Sequence, residues 1–199
     1  MDTVLRYETE ASDIYYKLRA IPRTGWVMLD VENPETVYDH TVSLVQLAAD
    51  MQTALGLTDT ELDDLQHMLE VHDWAEAVAG DEFIPNEDKR KAQSLKVKKA
   101  EREQAGLKQL LAQKPYADTV QTLFDRYETG SDPIAKLAKE LDKYQALELA
   151  LHYEQEQGIA LFTEFYEYYK REWPFSHPAI LTRIASLHAT HQHHTATKE

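Results

Sequence analysis

LDDLQHMLEVHDWAE, residues 62–76, places Leu62, Leu65 and Leu69 at helical steps and then sets His72 and Glu76 on the same stripe. Side chains three and four residues apart lie above one another on a helix, so this stretch predicts an amphipathic helix whose buried face ends in ionisable groups. The conflict recurs. Val37, His40, Leu44, Leu47 and Met51 put His40 inside a second apolar stripe, and Asp142 falls on the Ile134, Ala138, Leu141, Gln145 side of a third segment. An unpaired buried charge costs roughly several kcal/mol, which a partner must offset. A shared metal ion is the simplest partner for all three, and Asp73, directly after His72, completes a set of two imidazoles and two carboxylates.

The rest of the chain reads as helical around these three segments. A helix over 3–20 opens it and Pro22-Arg23-Thr24-Gly25-Trp26 breaks it. Segment 36–55 carries His40. Thr58-Asp-Thr-Glu61 has the form of a capping box and starts the helix of His72 and Asp73, which Gly80 ends. Charged and shorter helices are expected over 87–112 and 116–128, followed by the segment that Asp132-Pro133 opens and that runs to about Gln157. A Phe/Tyr-rich helix follows at 161–169, read as core packing before a dimer face, and a last helix at 178–190. The expectation is an all-α helical bundle forming one domain over 1–190, with 191–199 as a frayed tail. His191, His193 and His194 on that tail resemble a metal site by count alone.

Composition narrows the function classes. With 21 Lys+Arg against 35 Asp+Glu, the net charge of -14 argues against nucleic-acid polymers and anionic membranes as partners. No cysteine occurs, so thiolate chemistry and disulfides are excluded and any metal must be held by His and carboxylate. Met1 to Ala20 is charged throughout with no apolar signal core, and no later stretch reaches the length of a membrane span, so a soluble cytoplasmic protein is expected.

Two imidazoles and two carboxylates suit Mn²⁺, Fe²⁺, Co²⁺, Ni²⁺ or Zn²⁺ better than Ca²⁺. Glu76 lies four residues after His72 on the same rim, and Asp81 follows just past Gly80. Beside a metal-activated water these two acids provide either a base and an acid for hydrolysis, or the oxygen ligands of a second, Mg²⁺-like ion. A lone His in an apolar stripe is more often a satisfied core residue; the conjunction of His40, the His72-Asp73 pair and Asp142 is what points to a metal.

The order His40, His72-Asp73, Asp142 resembles the H…HD…D pattern of the HD-domain metal-dependent phosphohydrolases. Pro22 to Trp26, Asn33 to Val37, Val71 to Glu76, Val78 to Asp81, Leu137 to Glu154 and His177-Pro178 are similar to the 5'-deoxynucleotidase branch, covering roughly residues 15 to 188. The resemblance implies a metal on His40, His72, Asp73 and Asp142, and removal of phosphate from nucleoside 5'-monophosphates, often with a deoxyribose preference. It also implies that Glu76 positions the attacking water, that Asp81 acts as acid or joins Glu76 on a second ion, that Arg23 contacts phosphate and that Trp26 packs on sugar or base. Homodimers are common in the branch.

Without the resemblance, Arg23 reads as a residue of a Pro/Gly loop and Trp26 as a core plug. Residues 89–102 hold seven of the 21 basic residues, ordinarily a solvated helix face and alternatively a positive rim for a phosphorylated substrate, with Lys89 or Arg90 nearest the Asp81 loop. Two rivals remain. A non-catalytic nucleotide sensor or scaffold would use the same residues without turnover, and a di-iron oxygenase would need further histidines, of which none occurs between residues 74 and 141.

Overall fold

In the computed structural model, residues 5–84 and 89–196 are described. They form α1 (Ser12–Leu18), α2 (Thr24–Val27), α3 (Val37–Leu55), α4 (Asp59–Val71), α5 (Glu76–Ala79), α6 (Lys89–Leu110), α7 (Ala117–Thr129), α8 (Pro133–Gln157), α9 (Phe162–Glu172) and α10 (Pro178–Ala196). No strand occurs among the described residues; the one β feature is an antiparallel bridge between Pro22 and Thr36, where Arg23 N–H donates to Glu35 O and Val37 N–H to Ile21 O. That bridge closes the 22–36 loop and fixes Arg23 beside the start of α3.

The three stripe-bearing helices form the centre. α8 begins at an Asp132 cap with Pro133 in its first turn and packs against α3, α4, α7, α9 and α10. Leu44 of α3, Leu65 and Leu69 of α4, and Leu141 and Leu147 of α8 have no solvent exposure. Both α3 and α4 start at complete capping boxes, Thr36 with Asp39 and Thr58 with Glu61, each satisfying backbone donors that the first turn leaves open.

Three boundaries differ from the sequence expectation. The helix expected over 3–20 is confined to Ser12–Leu18, because the Glu70 carboxylate accepts the backbone N–H groups of Arg6 and Tyr7 and the Tyr15 hydroxyl, holding residues 6–11 in turns. The helix expected to run to Gly80 ends at Val71 and resumes as α5. α9 runs to Glu172, and Trp173-Pro174 stops it, as the sequence reads. The expected tail is helical through Ala196: His191 Nε2 lies 2.9 Å from Glu154 Oε1 and its ring stacks on Phe162, so His191 packs on the protein's own core, while His193 is exposed.

Candidate metal centre

His40 stands one turn into α3, positioned by the Thr36 cap whose carbonyl accepts the His40 N–H. His72 caps the end of α4. After it the backbone tightens, with Trp74 N–H bonding Val71 O and Glu76 N–H bonding Asp73 O, three-residue steps in place of four. The break lets adjacent residues serve one point, which a continuous helix forbids because neighbours diverge by about 100°. His72 Nε2 and Asp73 Oδ2 are 3.2 Å apart, His40 Nε2 and Asp73 Oδ2 3.8 Å. One ligand atom from each of His40, His72 and Asp73 lies within 4.8 Å of the others. Asp142 arrives from α8 with Oδ1 at 3.3 Å from His40 Nε2, while its Oδ2 accepts from the Tyr127 hydroxyl and Lys143 Nζ.

The hydrogen bonds behind the two imidazoles set their protonation pattern. His40 Nδ1–H donates to the Gln145 amide oxygen at 3.0 Å and His72 Nδ1–H to the Leu69 carbonyl at 2.8 Å. A carbonyl acceptor requires the proton on Nδ1, so in the neutral imidazole each Nε2 carries a lone pair. Both Nε2 atoms are buried without a hydrogen-bond partner among the described residues. Two orphaned lone pairs converging on a carboxylate are costly as they stand and match the donor set of a divalent cation whose outer partners are already in place. The Gln145 oxygen is itself oriented, since its NH₂ donates to Glu35 Oε2 and Glu35 Oε1 accepts from the Trp26 indole.

Charge is concentrated here. Burial opposes ionisation of Asp73, but His72, Arg23 and His40 outweigh it and hold the carboxyl below the usual range. Burial would lower the His72 imidazole; Asp73 and Asp142 reverse the direction and raise it. Glu76, 3 % exposed, is pushed well up by burial and by the neighbouring Asp73 and Asp81. Its Oε1 lies 3.8 Å from Lys99 of α6 and its Oε2 has no partner among the described residues.

The expected residues thus divide. His40, His72, Asp73 and Asp142 come together, with Glu76 buried alongside and Arg23 Nη1 2.9 Å from Asp73 Oδ2. Asp81 Oδ2 accepts the Thr24 N–H and its carbonyl the Thr24 hydroxyl, so Asp81 tethers the loop that presents Arg23. Trp26 is 3 % exposed, stacked on Phe165 and edge-on to Tyr153; packing accounts for it, and its indole reaches the centre only through Glu35 and Gln145. The Lys89 side chain lies outside the described residues. Among the described residues of the basic run, Lys99 lies beside Glu76. Glu35, Gln145, Tyr127 and Lys143 were not singled out from sequence, although a glutamine in an apolar stripe and a lysine directly after Asp142 are visible signals.

The family model described as HD domain matches residues 15–180. The zebrafish 5'-deoxynucleotidase HDDC2 is 30% identical over 199 residues, covering 98% of this chain and 92% of that protein. Its human counterpart is 30% identical, with 87% and 80% covered, and the fission yeast 5'-deoxynucleotidase hdd1 is 28% identical, with 76% of each covered. Among solved structures, the PH0347 protein of Pyrococcus horikoshii superposes with a TM-score of 0.68 at 26% identity over 89% of this chain and 96% of that one.

Proposed function

The chain belongs to the HD-domain family, and on that premise we propose that it is a metal-dependent phosphohydrolase releasing phosphate from nucleoside 5'-monophosphates, deoxyribonucleotides among them. The observation that carries the reading is the pair of buried imidazoles with Nδ1–H committed to carbonyls and Nε2 free toward Asp73. The names of the zebrafish, human and fission yeast relatives support the substrate class.

His40, His72, Asp73 and Asp142 would hold the ion, which two nitrogens and two carboxylates suit to Mn²⁺, Co²⁺, Fe²⁺, Ni²⁺ or Zn²⁺, with Mg²⁺ as a further candidate. When bound, a divalent ion supplies Lewis acidity, neutralising phosphoryl charge and making water a stronger acid. Arg23, tethered through Thr24 and Asp81, offers a fork of N–H donors to the phosphoryl oxygens. Glu76 Oε2, buried and unpartnered, orients the attacking water and takes its proton. As the new P–O bond forms and the bond to the 5'-oxygen breaks, a proton must reach the leaving oxygen, and Asp81, the acid on the Thr24 tether, is the residue to which we assign its delivery. Should Glu76 and Asp81 hold a second ion instead, they would leave the acid and base roles to water.

We place the enzyme in the cytoplasm as a homodimer acting on small phosphorylated substrates, without nucleic-acid polymers or membranes as partners. No helix among the described residues is long and apolar enough to cross a membrane, and the charge of -14 disfavours anionic polymers. The decisive variants are His72→Ala and Asp73→Ala. Each is expected to lose bound metal by elemental analysis and to lose phosphate release, while the far-ultraviolet circular dichroism stays that of the wild type. Retained hydrolysis in metal-free protein would refute the proposal.

A further inference from the structure

Next to Asp142, through Lys143, α8 and the connection between α9 and α10 line a cleft of about 190 Å³. Its floor is Lys136, Lys139 and Lys143, one face of α8, and its wall is Trp173 with Phe175. The ammonium groups of Lys139 and Lys143 converge on one indole, 5.9 and 5.8 Å from the Trp173 ring. We propose that this cleft is a binding site for a phosphate-class anion, held by Lys139 and Lys143 and roofed by Trp173.

Charge accounting carries the argument. The chain holds 14 more acidic than basic residues; Asp142 already matches Lys143 at 2.6 Å, which leaves Lys139 as the under-compensated cation of the cleft. Glu140 accepts the backbone N–H groups of Ser176 and His177 and the Ser176 hydroxyl, and Glu172 pairs with Arg171. Lys139 forms no ion pair among the described residues; its ammonium lies 4.9 Å from the Tyr127 ring, and Glu128 acts on it at longer range. Burial pushes its pKa down, the mark of a cation short of counter-charge. Aromatic faces offset part of that cost, and an arriving anion would offset more. Lysine serves phosphate as a point charge, and several ammonium groups around one small cleft suit a multiply charged tetrahedral group better than a single carboxylate.

At this volume the cleft is smaller than typical whole-ligand pockets of about 300–1,000 Å³, so it takes one group of a ligand: a free orthophosphate, or the phosphate of a nucleotide whose base lies on the exposed indole. Lys143 also touches Asp142, which makes this site adjacent to the metal centre but separately testable.

The test uses the full chain and tryptophan emission. Trp26 and Trp74 are 3 % and 0 % exposed and Trp173 is 41 % exposed, so a surface ligand reports through Trp173. Orthophosphate is titrated against sodium chloride of equal ionic strength, in wild type and in Asp73→Ala, whose metal centre is disabled. The expected result is a saturable change in both proteins, absent in Trp173→Phe and at least ten-fold weaker in Lys139→Gln, with calorimetry repeating the Lys139→Gln comparison. A nucleoside monophosphate binding more tightly than orthophosphate identifies a nucleotide as the source, and equal affinities identify free phosphate. No saturable response, or an unchanged affinity in Lys139→Gln, overturns the proposal. Hydrolysis is not required for either result, so loss of the activity reading would leave this one standing.

Discussion

At the scale of single residues, the chemistry depends on where two protons sit. His40 and His72 direct Nε2 inward because Gln145 and Leu69 hold Nδ1–H, and the Gln145 link is the one a side-chain change can cut. Gln145→Leu preserves volume and removes the acceptor, freeing the His40 ring to rotate or switch tautomer. Metal affinity measured by calorimetric competition is expected to fall roughly 10–100-fold, with the fold intact. An affinity equal to wild type would show that the His40 tautomer is set elsewhere. His40, His72 and Asp142 were legible in the sequence because a charge inside an apolar stripe conflicts with its neighbours. Their outer partners were not, since Gln145 meets His40 from 105 positions away and nothing local in either helix records that pairing. Trp26 reads from the sequence equally as a core plug and as a substrate contact; the structure adds its stacking on Phe165, a partner far away in sequence.

At the scale of elements, the break between α4 and α5 is what brings His72 and Asp73 to one point and turns Glu76 inward. Hydrophobic periodicity spans the break without a signal, because Leu65, Leu69, His72 and Glu76 keep helical spacing through it. The capping box of α4 was legible because it depends on residues three apart, Thr58 and Glu61. The late start of the N-terminal helix was not, since Glu70 imposes it from α4. α6 secures the segment after the break: a Cβ on Gly106 would sit 3.3 Å from both the Ala75 carbonyl oxygen and Val78 Cβ. Gly106→Val adds a branched side chain to that close approach. Denaturant unfolding is expected to show a loss of about 1–3 kcal/mol, with phosphate release reduced further as α5 shifts and carries Glu76 with it. Unchanged stability and activity would mean that α6 does not clamp this segment.

Across the whole molecule, the all-α architecture was readable because α3, α4 and α8 each carry their own stripe and cap, while the helical C-terminus depended on Glu154 and Phe162, far away in sequence. The N-terminal segment adds a pH dependence. His67 bonds the Tyr7 hydroxyl at 2.7 Å, and burial, with Arg6 nearby, brings its pKa down to about 4 from the ordinary 6.5. Between those values the unfolded chain takes up a proton that the folded chain refuses, so this contribution is full above pH 6.5 and is lost as pH falls toward 4. Unfolding free energy measured across that window should fall less steeply in His67→Gln than in wild type. The difference isolates His67 from carboxylates such as Glu70, which burial shifts upward with the opposite effect on stability. Parallel slopes would contradict the assignment. The central claim, a metal-dependent nucleotide phosphohydrolase built on His40, His72, Asp73 and Asp142, is tested most directly by phosphate release. Chelator-stripped protein, resupplied in turn with Mg²⁺, Mn²⁺, Co²⁺, Ni²⁺ or Zn²⁺, is given a panel of ribo- and deoxyribonucleoside 5'-monophosphates. Release that needs an added metal and disappears in Asp73→Ala is the predicted result; metal and nucleotide binding without release under any of these ions would contradict it and identify a sensor or scaffold.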